Sequence, residues 1–285
     1  MITLRCGFPL RTLLCALPCI LLTACTSLPP PEIRWHSAAN EAGASGWQRV
    51  SLPAGQFVLA SWLPESAPAG DTLTIYIEGD GLAWISSVDV SPDPTPLHPV
   101  GLQLALKHPR GNAAYLARPC QYVSGDEARN CSNVYWTEKR FAPEVVEASN
   151  LAIDQLKQRF KATRLVLVGF SGGGAVAALV AARRHDVMQL VTVAGNLDHV
   201  RWSVMHNSSP LTGSLNPIDV WRALENLPQI HYVGGNDEVV PRAVAESFVA
   251  AFPADHRPAM RVIEGVDHGC CWADKWSGIY SPPEK

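Results

Sequence analysis

The stretch Arg164–Ala182, RLVLVGFSGGGAVAALVAA, decides how the whole chain is read. Arg164 to Val168 is mostly aliphatic and unbroken, the pattern of a strand buried on both faces. Gly169-Phe170-Ser171-Gly172-Gly173 follows, then a run rich in Ala, Val and Leu that suits a helix packed on a sheet. A G-x-S-x-G pentapeptide between strand and helix has the pattern of a nucleophile elbow. The physics selects these residue types. Turning from strand to helix so quickly drives the serine into strained dihedrals, and Gly169 and Gly173 have no Cβ to obstruct the close approach. The turn lifts Ser171 Oγ above the sheet, and the helix start offers free N–H groups to a developing oxyanion.

Two phosphate-binding readings compete for the same residues. Gly172-Gly173-Gly174-Ala175-Val176-Ala177 also fits G-x-G-x-x-A, the dinucleotide fingerprint. That fingerprint wants an acidic residue about 20 positions later, at the end of the next strand. Here Leu190–Ala194 runs into Gly195-Asn196, with no carboxylate before Asp198. A P-loop fails because no Gly-Lys-Ser/Thr closes the turn.

Outward from the elbow, residues 1–24 carry Arg5 and Arg11 and an apolar segment, Thr12 to Leu22, too short to span a bilayer and shaped like a signal peptide. Leu22-Thr23-Ala24-Cys25 resembles a bacterial lipobox. The resemblance implies cleavage before Cys25, lipid on its thiol and amine, membrane association through those acyl chains and, with Thr26 next, an outer-membrane address. Residues 25–46, with Pro29-Pro30-Pro31 and small polar residues, read as a lipidated cysteine and a flexible tether. Residues 47–285 are long enough for one domain with one large core. A net charge of −3 without a basic run argues against nucleic acid. Metal spacings such as HExxH and CxxC are absent, so neither metal nor other cofactor is expected. Oligomeric state is not legible.

Cys120, Cys131, Cys270 and Cys271 remain for disulfides, in three formal pairings. Cys120–Cys131 is the favoured bridge, closing a short loop worth ~2–3 kcal/mol through chain entropy. Cys270 and Cys271 would then form a vicinal pair, which stays open.

Strands are expected over Gln56–Leu63, Asp71–Ile77, Ala113–Ala117, Leu190–Ala194, Ile230–Val233 and Met260–Ile263, and helices over Pro99–His108, Pro143–Phe160 and Arg242–Phe252. Such alternation indicates a parallel sheet with helices on both faces. Residues 196–228 form a longer, Trp-bearing insertion, either a cap over a pocket or a packed crossover. Ser171, Asp237 and His268 each fall just after an expected strand, on the carboxyl edge where open α/β sheets keep their sites. A serine hydroxyl is a poor nucleophile until a histidine takes its proton, and a carboxylate must hold the imidazole in the right tautomer. Asp198 is the rival acid, and Asp267 lies too close to His268 along the chain to orient it.

YIEGDG (Tyr76–Gly81), GFSGGG (Gly169–Gly174), GGNDEVVP (Gly234–Pro241) and VDHGCCW (Val266–Trp272) resemble the corresponding phrases of the α/β-hydrolase superfamily, especially bacterial lipoprotein-type serine hydrolases. The likeness covers nearly all of the chain beyond Gln56 and includes the order Ser, Asp, His. It implies an α/β-hydrolase fold and an acyl-enzyme on Ser171, with a small ester, thioester or amide as substrate. It also implies an oxyanion hole formed by the N–H groups of Gly172 and Asp80. The superfamily often has His-Gly after this strand, where the chain has Glu78-Gly79. Carboxylates there are electrostatically awkward, so Glu78 and Asp80 are expected to turn away or be hydrogen-bonded. The alternatives are a non-enzymatic lipoprotein using the fold as a binding platform, and an acyltransferase with the same triad.

Overall fold

The described residues, 28–66 and 70–283 of a computed structural model, form one eight-stranded sheet with helices on both faces. Its strands are β1 (Trp47–Ala54), β2 (Phe57–Pro64), β3 (Thr72–Ile77), β4 (Asn112–Leu116), β5 (Arg164–Phe170), β6 (Val187–Val193), β7 (Gln229–Gly234) and β8 (Ala259–Ile263). They lie in the order β1-β2-β4-β3-β5-β6-β7-β8. β2 is antiparallel to β1 and β4, and every pair from β4 to β8 is parallel. The parallel sheet is what the alternating pattern anticipated, and the whole is the α/β-hydrolase fold that the resemblance implied.

The helices are α1 (Pro31–Ala44), α2 (Val100–Leu106), α3 (Pro143–Phe160), α4 (Gly172–Ala181), α5 (His199–Met205), α6 (Trp221–Leu224), α7 (Arg242–Ala250) and α8 (Trp272–Ile279). The period-two geometry of β5 divides the core between them. Leu165 and Leu167 join α3, α4 and Phe248 of α7 on one face; Val166 and Val168 join α1, α2 and α8 on the other. All four β5 side chains are buried, each worth roughly 1.5–3 kcal/mol of transfer free energy. An unbroken aliphatic run is what a strand covered on both sides requires.

The flexible tether expected over residues 25–46 is corrected here. Pro31 occupies the first helical turn, where its missing N–H costs nothing, and the small residues read as linker include Ala38 and Ala42, which α1 buries. Arg34 ties this helix to the proline-rich loop, donating to the Thr95 carbonyl and standing 3.5 Å from Asp93. The expected signal peptide (1–24) and the expected lipidation site, Cys25, lie outside the described residues. β1 was not anticipated either. It is an edge strand, where Pro53 is tolerated, and Gly55 at φ +60° turns the chain into β2. α8 follows directly on VDHGCCW and seals its face with Trp272 and Trp276.

Candidate active site

β5 delivers Ser171 to the carboxyl edge, and the residue adopts φ 52°, ψ −122°, a conformation costly for any side-chain-bearing residue. Glycine permits it. A Cβ at Gly169 would lie 2.2 Å from the Gly173 carbonyl oxygen, and one at Gly173 would lie 2.3 Å from that of Ile77. The backbone around the serine is held by Ser171 N–H donating to Val193 O (2.9 Å) and Asn196 N–H donating to Ser171 O (3.1 Å).

β7 and β8 bring the other two residues. Asp237 follows the Gly234-Gly235 turn, and its Oδ1 accepts the N–H groups of Val239 (2.9 Å) and Val240 (2.8 Å). Its Oδ2 stands 2.9 Å from His268 Nδ1, and His268 Nε2 stands 3.0 Å from Ser171 Oγ. The imidazole lies 5.1 Å from the Phe170 ring, and the His268 backbone carbonyl accepts from Trp272 Nε1 (3.2 Å). Asp267 Oδ1 caps the following turn by accepting from Gly269 and Cys270. Asp198, the rival acid, sits elsewhere: it caps α5 and accepts from Ser247 (2.6 Å), Arg201 N–H and Asn216. Burial pushes the Asp198 carboxyl up, but these hydrogen bonds hold it below the usual range.

The Glu78–Gly81 loop crosses in front of the elbow, so close that a Cβ at Gly79 would touch Ser171 Cβ at 3.2 Å. Glu78 turns away from the site. Its carboxylate accepts the N–H groups of Gly79, Gly101 and Leu102 and the Tyr115 hydroxyl, while burial pushes its pKa up to about 7. Asp80 is ion-paired to Arg118 (3.0 Å) and Arg140 (2.8 Å). Burial alone would raise its carboxyl; the two guanidiniums bring it below the usual range. Among the described residues, no hydrogen bond takes up the N–H of Asp80 or of Gly172, the first residue of α4. Sequence reasoning missed Arg118 and Arg140 because each lies in an irregular segment with no motif around it.

A cavity of about 370 Å³ opens over Ser171 and His268. Leu82, Trp84, Leu97, Phe170, Trp202 and Val239 make much of its wall apolar, and Asn196 and Arg140 add polar groups. Trp202 of the 196–228 insertion thus borders the cavity and donates to the Val239 carbonyl (2.7 Å), whereas Trp221 packs against Phe252. Both disulfides form: Cys120–Cys131, with Cα atoms 5.5 Å apart, and the vicinal Cys270–Cys271. Among the described residues, no cluster of three or more His, Cys, Asp or Glu could hold a metal ion.

Comparison with known proteins agrees with this architecture. An alpha-beta serine hydrolase homologue from Coxiella burnetii has a TM-score of 0.54 at 16% identity, over 81% of this chain and 93% of its own. A Pyrococcus furiosus esterase gives 0.57 at 13% identity, over 88% and 93%. The esterase domain of a Rhodothermus marinus protein gives 0.52 at 16%, over 82% and 94%. Identities this low speak to the fold alone. No curated protein sequence matches the chain. The family profile described as serine hydrolase (FSH1) matches residues 107–265, more than half of the sequence and including both Ser171 and Asp237. The chain belongs to the FSH1 serine hydrolase family.

Proposed function

We propose that this protein is a lipid-anchored hydrolase that cleaves an ester, thioester or small amide through an acyl-enzyme on Ser171. One observation carries the reading: the continuous line from Ser171 Oγ through His268 to Asp237, with steps of 3.0 and 2.9 Å. His268 Nε2 takes the Ser171 proton as Oγ bonds to the acyl carbon, and the carbonyl oxygen becomes an oxyanion facing the N–H groups of Asp80 and Gly172. The tetrahedral intermediate collapses, and the leaving alcohol, thiol or amine departs with the proton from Nε2. Water then gives a proton to Nε2 and attacks the acyl carbon. The second collapse returns that proton to Ser171 Oγ and frees the acid. Asp237 orients the imidazole and stabilises the imidazolium that forms. The cavity of about 370 Å³ suits an acyl group of modest length, and its apolar wall favours an uncharged one.

Anchoring through Cys25, at an outer membrane and facing the periplasm, is supported by the lipobox-like LTAC sequence and by two disulfides, which belong in an oxidising compartment. No described helix is long and apolar enough to cross a membrane. With α1 starting at Pro31, the link from Cys25 reaches at most about 20 Å, so the domain would stay close to the bilayer.

The test is hydrolysis of p-nitrophenyl esters of graded chain length by the detergent-solubilised chain, beside Ser171→Ala and fluorophosphonate labelling. Turnover and labelling that both vanish in Ser171→Ala are the expected result. Labelling or turnover that survives the substitution would overturn the assignment, and their absence from the wild type would favour a binding platform.

A further inference from the structure

The mechanism leaves one buried cluster without a role. Asp80 offers both carboxylate oxygens to cations from different segments: Oδ1 to Arg118 Nη1 and Oδ2 to Arg140 Nη1. Its backbone neighbours are pinned as well. Gly79 N–H donates to Glu78 Oε1 (2.8 Å), Gly79 O accepts from Gln121 Nε2 (3.0 Å), and Leu82 N–H donates to Pro94 O (3.1 Å). Gly81 sits at φ +68°, where a Cβ would lie 1.9 Å from Pro94 O. The carboxylate itself fills the space beside the elbow, because a Cβ on Gly172 would meet Asp80 Oδ1 at 2.0 Å. The side chain of Asp80 therefore rests against the residue whose N–H would be the other oxyanion donor.

The groups that grip this loop are themselves organised by one turn. Arg118 N–H donates to Gln121 Oε1 (3.1 Å), and Gln121 N–H donates to Arg118 O (3.2 Å). Cys120 and Tyr122 both take positive φ, 72° and 59°, and Cys120 is bonded to Cys131. Arg118 Nη2 also donates to the Arg140 carbonyl, and Arg140 Nε donates to Thr137 O (2.7 Å). Two forked guanidiniums fix a carboxylate in position and rotation as a single partner cannot.

We infer that Arg118, Arg140 and Gln121, on a framework pinned by the Cys120–Cys131 bridge, are positioning residues that hold the Asp80 N–H in the oxyanion hole. The inference rests on the acyl-enzyme reading of Ser171. No proton or charge moves within the cluster during turnover; it supplies preorganisation, the property that makes oxyanion donors effective.

A transition-state analogue separates this role from a merely structural one. Asp80→Asn, Arg140→Lys, Gln121→Met and the paired Cys120→Ser/Cys131→Ser chain are compared with wild type in detergent. Kinetics use p-nitrophenyl butyrate, and the inhibitor is an alkyl trifluoromethyl ketone, whose adduct with Ser171 places an oxyanion in the hole. The expected result is kcat lower by about 10- to 100-fold with KM within about threefold, below the loss of a complete donor for the milder variants. The Ki of the ketone should rise in proportion to the loss of kcat/KM, and Arg140→Lys should retain part of both. Where Asp80→Asn fails to fold, the uncharged Gln121→Met decides. Wild-type kcat in the folded variants, or reduced kcat/KM with unchanged Ki, overturns the positioning role and leaves the hydrolase reading intact. A wild type that neither hydrolyses the ester nor binds the ketone through Ser171 removes both.

Discussion

Asp237 Oδ2 and His268 Nδ1 stand 2.9 Å apart, and the carboxylate side chain in this contact is wholly buried whereas the imidazole is 19% exposed. The other oxygen of Asp237 is occupied by two backbone N–H groups, so its orientation is set before any substrate arrives. On the proposed mechanism, this contact holds the proton on Nδ1 and leaves Nε2 to accept from Ser171, 3.0 Å away. Asp237→Asn should lower kcat by about 10⁴-fold with the fold intact, because an amide can donate to Nδ1 and select the wrong tautomer. Asp198→Asn, at a helix cap away from His268, should leave kcat within about tenfold. Steady-state kinetics on a neutral ester check both, and a mild effect at Asp237 would return the acid role to Asp198.

The elbow makes its own prediction. A Cβ at Gly173 would fall 2.3 Å from Ile77 O and 2.4 Å from Glu78 O, both backbone atoms that cannot rotate away. Gly173→Ala should therefore destabilise the protein by about 3 kcal/mol, at the upper end of ordinary overpacking costs, and should reduce turnover by displacing the Glu78–Gly81 loop. Urea unfolding of the variant is the measurement. By contrast, Gly278→Ala in α8, where a Cβ meets nothing within 4 Å, should hold stability or gain up to about 1 kcal/mol.

His268, the proposed base, rests on a short loop with several ties. Trp272 Nε1 donates to His268 O, Asp267 Oδ1 accepts from the next turn, and Cys271, at φ 76°, joins Cys270 just before α8 begins. Paired Cys270→Ser/Cys271→Ser substitution should lower kcat by about three- to tenfold with KM unchanged, as a small misplacement of the base does. Trp272→Phe, which keeps an aromatic ring but loses the donor and part of the buried volume, should act in the same direction. Activity indifferent to both changes would show that the loop is held without them.

Legibility followed the physics of each segment. α3 was readable to its limits because Pro143 marks its first turn and an apolar stripe continues to Phe160. Parallel strands such as β5 were readable because burial on both faces leaves an unbroken aliphatic run. α1 was not, since alanines that fill a groove look like those of a linker until the groove is seen. Ser171, Asp237 and His268 could be grouped because each follows a strand at the same sheet edge, and their side chains meet there. The partners of Asp80 were hidden, because Arg118 and Arg140 meet it only through irregular chain whose path no local pattern encodes. The same holds for Glu78, whose four hydrogen-bond donors come from its own turn, from α2 and from β4.

His231 gives the protein an acid-sensitive limb independent of catalysis. The imidazole lies fully buried in β7, with Nδ1 2.8 Å from Thr192 Oγ1, Nε2 without a partner, and the Phe248 ring 5.3 Å away. Burial pushes its pKa down from 6.5 to about 3. Below pH 6.5 the unfolded chain takes up a proton that the folded chain refuses until about pH 3, so stability from this residue is lost progressively as pH falls through that window. Between pH 7 and pH 5 the loss is about 2 kcal/mol. His231→Gln keeps a polar partner for Thr192 but cannot titrate. Its unfolding free energy should therefore fall by about 2 kcal/mol less than that of wild type over the same interval. His108, held at about 4 by burial, and Glu78, held at about 7, titrate in both proteins and cancel in the difference. Parallel pH slopes in urea unfolding of the two proteins would mean that His231 is already neutral in the unfolded reference or is solvated in the fold.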